Sequence, residues 1–167
     1  MVKFFLLLLI LVSCTGMGRA LSLARKRRAD MLGDILAAMR VLRLRMLNSM
    51  EPVGILLRKS DAALFRELGN SLWEGESLAE CWEKKRAEET KRGRMLDSLT
   101  EEDMEILDGF FRNLGISGRE EQGEMFTSVI ARMEEAQSGA KRLFADASKT
   151  YTALGALLGV GICIVIV

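Results

Sequence analysis

A single proline, Pro52, interrupts 167 residues whose apolar positions otherwise recur mostly at helical steps. Before it, Leu32, Ile35, Leu36, Met39, Leu42, Met46 and Met50 fall three and four residues apart, on one face of a helix. Far beyond it, Phe126, Ile130, Met133, Ala140, Phe144, Ala147, Tyr151 and Leu154 repeat the pattern, with Gln137 in the skipped position. Proline has no backbone donor and clashes with the preceding turn, so the first run must end or kink at Pro52. Nothing breaks the second run, which predicts one helix from about Arg119 to the C-terminus. Leu, Ala, Met, Glu, Arg and Lys abound and strand-like alternation is nearly absent, so the chain reads as all-α.

Both predicted long helices finish in uncharged sequence. Val2 to Met17 is apolar except for Lys3, Ser13 and Thr15, and Tyr151 to Val167 carries no charged side chain. A bilayer core takes about 20 apolar helical residues, with about 17 as the lower bound, so each end just qualifies as a span. Flanking charge orients them. Arg19, Arg25, Lys26, Arg27 and Arg28 follow the first with no acid before Asp30, and Lys141, Arg142 and Lys149 precede the second, offset only by Asp146. By the positive-inside rule both clusters stay cytoplasmic. The expected organisation is an N-terminal transmembrane anchor at residues 1–18, a cytoplasmic helical bundle at 19–150 and a C-terminal transmembrane helix at 151–167. The expected location is the cell membrane, with the central domain in the cytoplasm.

The same N-terminus has a rival reading. Leu11, Val12, Ser13 and Cys14 are the residue types of a lipoprotein signal, which would make this an exported lipoprotein or envelope structural protein acylated at Cys14. Export would drag Arg19 and Arg25 to Arg28 across the membrane directly behind the signal. The uncut anchor is preferred for that reason.

Between the ends the sequence predicts a bundle of about five or six helices. A short one covers Val53 to Arg58. Ser60 or Asp61 caps the next, with Leu64, Phe65 and Leu68 inward and Gly69-Asn70 closing it. Ser77 to Arg92 follows, edged by Leu78, Cys81 and Trp82 and interrupted at Gly93. Thr100, Glu101, Glu102 and Asp103 make a capping-box start for a helix carrying Met104, Leu107, Phe110, Phe111 and Leu114, stopped by Gly115. Ser117 to Glu120 is a second such start. The expected core contains Leu107, Phe111, Leu114, Met125, Phe126, Ile130 and Met133, with Trp82 at least partly buried.

Catalytic chemistry finds few candidates here. Histidine is absent, which removes the commonest general base and metal ligand. Cys14 and Cys163 sit in the apolar ends and Cys81 stands alone, so no zinc or disulfide framework is implied. Phosphate-binding and metalloprotease signatures are missing. The acids Glu101, Glu102, Asp103 and Glu105 are explained by the helix dipole without a cation. We therefore expect no catalytic, cofactor-binding or metal-binding residues, no small-molecule substrate and, at a net charge of +1, no nucleic acid partner. Such a protein acts through contacts. Arg19, Arg25, Lys26, Arg27 and Arg28 serve as the topogenic signal and as contacts for anionic lipid head groups. The run containing Glu83, Lys84, Lys85, Glu88, Glu89 and Lys91 reads as a solvated, membrane-distal face suited to a soluble partner. Gly155 and Gly159, four apart in an apolar helix, allow close helix packing in the membrane.

The wording of two segments carries a resemblance. "EEDMEILDGFFRNLGISGREEQ", with Leu107, Phe111, Leu114, Gly115 and Gln122, and the closing "KTYTALGALLGVGICIVIV", with Lys149, Tyr151, Leu154, Gly155 and Gly159, resemble the stage III sporulation protein AB family of endospore-forming bacteria. Trp82 stands for the family's aromatic after the first half. Arg43, Arg45 and Gly54 depart from the family's usual acids and second proline. The resemblance implies a non-enzymatic membrane component of the channel-like complex between mother cell and forespore, on the mother-cell side at the outer forespore membrane. It also implies a cytoplasmic domain similar to the helical domain of type II secretion F-type platform proteins. Its implied partners are the cytoplasmic ATPase, stage III sporulation protein AA, and other membrane components of the same complex.

Overall fold

Pro52 acts as its chemistry demands. Helix α1 (Val2–Asn48) ends shortly before it, and α2 (Val53–Arg58) takes Pro52 as its N-cap, where a missing N–H costs nothing. The computed structural model describes the backbone of residues 2–49, 51–72 and 76–166, and the side-chain surroundings of residues 25–49, 51–72 and 76–146. The remaining helices are α3 (Ala63–Ser71), α4 (Leu78–Glu89), α5 (Glu101–Asn113) and α6 (Arg119–Ile166). No strand occurs among the described residues. Both long helices foreseen from the periodicity are present.

Helices α1 and α6 form an antiparallel hairpin. The Arg25 guanidinium donates to the Leu143 carbonyl at 3.5 Å, Arg40 pairs with Glu134 at 2.6 Å, and Gly123 lies against Leu47. Between these points Gly33 faces Gln137 so closely that a Cβ there would stand 2.6 Å from the amide nitrogen. The seam is apolar: Leu32, Ile35, Leu36, Met39 and Leu42 are buried from α1, and Phe126, Ile130, Met133 and Ala140 from α6. The hairpin thus has an open end, where residues 25 and 143 meet, and a closed end near the α1–α2 and α5–α6 turns.

The four shorter helices pack on this hairpin around a chain of rings. Trp82 of α4 lies 4.6 Å from Phe111 of α5, centroid to centroid, and Phe111 meets Phe65 of α3 at 5.5 Å and Phe110 at 5.0 Å. Phe110 continues to Phe126 of α6 at 5.4 Å. Edge-on and tilted pairs of this kind add to the burial of each ring. All five rings are buried, as are Leu107, Leu114, Ile130 and Met133. Met125 is only partly buried, because it lies beside the inward row of α6 and packs against the core's edge.

Several helix ends differ from the sequence expectation. Neither Ser60 nor Asp61 caps α3: the Ser60 N–H is still bonded to the Leu57 carbonyl, and Ala62 becomes the N-cap with no side-chain bond. Gly69 does not close α3 but sits within it, buried, where a Cβ would stand 2.5 Å from the Arg58 backbone nitrogen. Close approach of α2 requires glycine there. Helix α4 stops at Glu89, short of Arg92, as the Leu96 N–H turns back to the Glu89 carbonyl. Ser117 precedes the helix start at Arg119 by too much to cap it, and its hydroxyl instead accepts from the Gln122 amide at 2.7 Å. Thr100 with Asp103 forms the expected capping box, and Ser77 with Glu80 forms another. Gly115, at φ +81°, follows α5 as a left-handed stop. Among the described residues no helix is long and apolar enough to cross a membrane. The segments 1–18 and 151–167, expected to do so, lie outside those whose side chains are described.

Candidate interaction surfaces

The basic leading segment divides in two. Arg25, Lys26 and Arg27 are exposed at the open end of the hairpin, as head-group contacts would have to be. Arg28 is not. Its Nε and Nη2 donate to the two carboxylate oxygens of Asp103 at 2.8 and 3.0 Å, and Nη2 also reaches the Thr100 hydroxyl at 3.3 Å. The Asp103 side chain is 1% exposed and the Arg28 side chain 18%. Asp103 also accepts the Thr100 N–H at 2.9 Å, completing the cap of α5. Burial pushes the Asp103 carboxyl upward, but Arg28 and the Thr100 donors outweigh it and hold the group below its ordinary value. Arg28 therefore fastens α1 to the start of α5 rather than facing lipid. Arg19, Gly155 and Gly159 lie outside the residues whose side chains are described.

The charged run of α4 also divides. Lys85 bridges Glu67 at 2.5 Å and Glu89 at 3.3 Å, and is 19% exposed. Glu89 is buried and accepts the Met95 N–H at 3.2 Å, a bond that, with Lys85, keeps its carboxyl below the usual range. Arg86, which the sequence did not single out, reaches Asp108 and Glu101 at 2.5 Å each, while Asp108 accepts the Trp82 indole N–H at 2.6 Å. These groups hold α4 against α5 and the following loop. Glu83, Lys84, Glu88 and Lys91 remain exposed, with Glu83 near Arg112 at 3.4 Å and Lys84 paired with Glu76. The run is also not remote from the open end of the hairpin. Arg86 pairs with Glu101, two residues from the Asp103 that binds Arg28, so the C-terminal half of α4 lies toward the open end. Helical periodicity showed which α4 residues were polar; it could not show that acids on α3 and α5 would meet them.

A third surface was not foreseen. On α1, Ala37, Val41 and Leu44 are exposed along a stripe beside the core-facing row, Val41 at 42% and Leu44 at 65%. A groove of about 490 Å³ runs along this stripe between α1 and the α2–α3 connection, lined by Met31, Ala38 and Leu64 among others. The signal was available as apolar residues at 37, 41 and 44, off the main face of α1. Cys81 is buried beside Glu76, and burial with that carboxylate raises its thiol above the ordinary value, away from the thiolate. Among the described residues no group of acids or cysteines is arranged to hold a metal ion.

Comparison with known proteins places the whole chain. A family model described as stage III sporulation protein AB matches residues 3–167. A solved structure described as stage III sporulation protein AB (SpoIIIAB) is similar in fold, with a TM-score of 0.59 at 19% identity, over 71% of this chain and 97% of that one. No curated protein matches the chain.

Proposed function

The chain belongs to the stage III sporulation protein AB family, and from that premise we propose that it serves spore formation as a non-enzymatic platform held to the membrane by both ends. The observation that carries this reading is the antiparallel α1–α6 hairpin, whose open end sends both chain ends the same way. A domain entered and left through one bilayer needs that geometry, and residues 1–18 and 151–167 are the apolar segments that would enter it. Exposed Arg25, Lys26 and Arg27 at the open end suit the cytoplasmic leaflet's anionic head groups. The location proposed is the mother-cell side of the outer forespore membrane, within the channel-like complex. Gly155 and Gly159 would pack against other membrane components.

Its partner in this reading is the cytoplasmic ATPase, stage III sporulation protein AA, met at exposed residues of α4 and the turn after it: Glu83, Lys84, Glu88 and Lys91. Rim charges of this kind mainly set association rate and salt dependence. Cys81 is too buried to report topology, so Glu88→Cys supplies the probe. A membrane-impermeant maleimide should label it in inverted vesicles and not in intact cells. Labelling in intact cells, with a lipid-modified Cys14, would establish the exported lipoprotein instead. The wild-type chain should co-purify with the ATPase, and Glu88→Lys with Lys91→Glu should weaken that association. Failure of the wild type to co-purify removes the docking role.

A further inference from the structure

The groove on α1 is mostly apolar and carries one acid on each wall. Met31, Ala37, Ala38 and Val41 on α1 face Ala62, Ala63 and Leu64 across it. Asp34 lies on the α1 wall, in line with Ala37 and Val41, and Asp61 on the opposite wall, and both are exposed. Neither has an ion-pair or hydrogen-bond partner among the described residues. Leu44 extends the stripe one turn beyond Val41, and Asp30 extends the acidic edge one turn before Asp34. An apolar channel between two unpaired carboxylates specifies its occupant closely.

We propose that this groove receives a basic amphipathic helix from a partner protein, with apolar residues at i, i+4 and i+7 and Lys or Arg on both flanks. The apolar edge would cover Ala37, Val41 and Leu44, in the helix-in-groove manner. Basic residues beside that edge would meet Asp34 at the head of the stripe and Asp61 across the groove. An anionic lipid surface is repelled by the same carboxylates, and two copies placed groove to groove would set acid against acid. None of Glu83, Lys84, Glu88 and Lys91 lines this groove, so the two assignments stand or fall independently.

The test uses the full chain in non-ionic detergent and a fluorescent, lactam-stapled Leu/Lys peptide of about fourteen residues, four turns of helix. Its anisotropy should rise to saturation with the wild-type chain, and a Leu/Glu peptide of the same pattern should not bind. Val41→Glu should weaken binding by roughly tenfold or more, as expected when an apolar anchor site is charged. Asp34→Asn with Asp61→Asn should weaken it by about two- to fivefold and flatten its salt dependence. All three positions are exposed, so unfolding midpoints should stay put; Ala37→Arg gives a second groove variant should Val41→Glu disturb the fold. Equal binding of the Leu/Glu peptide, or indifference to both groove variants, overturns the proposal. So does a dimer in the wild type that Val41→Glu dissociates without changing peptide binding, which would make a second copy the occupant.

Discussion

Replacing Asp103 tests how α1 is fastened to the rest of the domain. Its carboxylate takes two donors from Arg28 and the backbone N–H of Thr100 in a site 1% exposed. Breaking a buried ion pair by removing one partner costs about 3–5 kcal/mol, because the other charge stays uncompensated. Arg28 keeps 18% exposure and can partly rehydrate, which sets the expected loss for Asp103→Ala near the lower end, about 3 kcal/mol. Arg28→Met leaves the less exposed partner stranded and should cost at least as much. The double variant Arg28→Met/Asp103→Leu, apolar on both sides, should recover much of either loss, for a coupling energy above roughly 1.5 kcal/mol. Urea unfolding of the full chain in detergent, followed by tryptophan fluorescence, measures all four corners of the cycle. Single losses below about 0.5 kcal/mol with no coupling would refute the reasoning, since they would mean the pair contributes no more than an exposed one. Acid adds an independent check. Because the folded carboxyl is held below its ordinary value, the pair's contribution is complete above the unfolded value of about 3.9 and fades as pH falls through the folded one. The stability gap between wild type and Asp103→Asn should therefore narrow below about pH 4 and stay constant above pH 6.

Phe126→Ala removes a fully buried ring that links Phe110 to α6 and should cost about 3–5 kcal/mol in the same unfolding assay. Gly69→Ala should be destabilising despite the better helix propensity of alanine, because its methyl would strike the Arg58 backbone; an unchanged or raised midpoint would show that α2 can shift aside. Glu89→Lys should lower the midpoint, since a cation would replace the buried acceptor of Met95 and Lys85, whereas Glu88→Lys one residue earlier should leave it within about 0.5 kcal/mol.

The long helices were legible because periodicity and the absence of proline act locally and leave a regular trace. The Leu32 to Leu42 row and the Phe126 to Met133 row both became core for that reason. The capping box at Thr100 involves neighbours three residues apart and is equally local. What escaped was set by partners distant in sequence. Arg28 looks identical to Arg27 until Asp103, 75 residues away, is brought beside it. Lys85 and Glu89 look solvated until Glu67 and the returning loop at Met95 reach them. Gly69 reads as a helix stop because the close approach of α2 leaves no mark in the flanking residues. The α1 groove was missed because α1 has two apolar stripes, and one dominant stripe was enough to explain the helix.

The hairpin's two arms come from opposite ends of the chain, and this fixes when the domain can be finished. Arg40 waits for Glu134, 94 residues downstream, and the α1 core row has its principal cover in α6, the last helix of the bundle. A nascent chain emerges at about 5–20 residues per second, so α1 is off the ribosome for several seconds with that row uncovered. During that interval the α1 row lacks the helix that covers most of it. A chain cut off before Met133 would lack the part of α6 that lies opposite Gly33 and Arg40 and would leave the neighbouring α1 core residues uncovered, which makes truncation products natural substrates for proteolysis. Completion of the domain and synthesis of its C-terminal segment are thus nearly simultaneous events, and a half-made copy offers no finished surface to any partner.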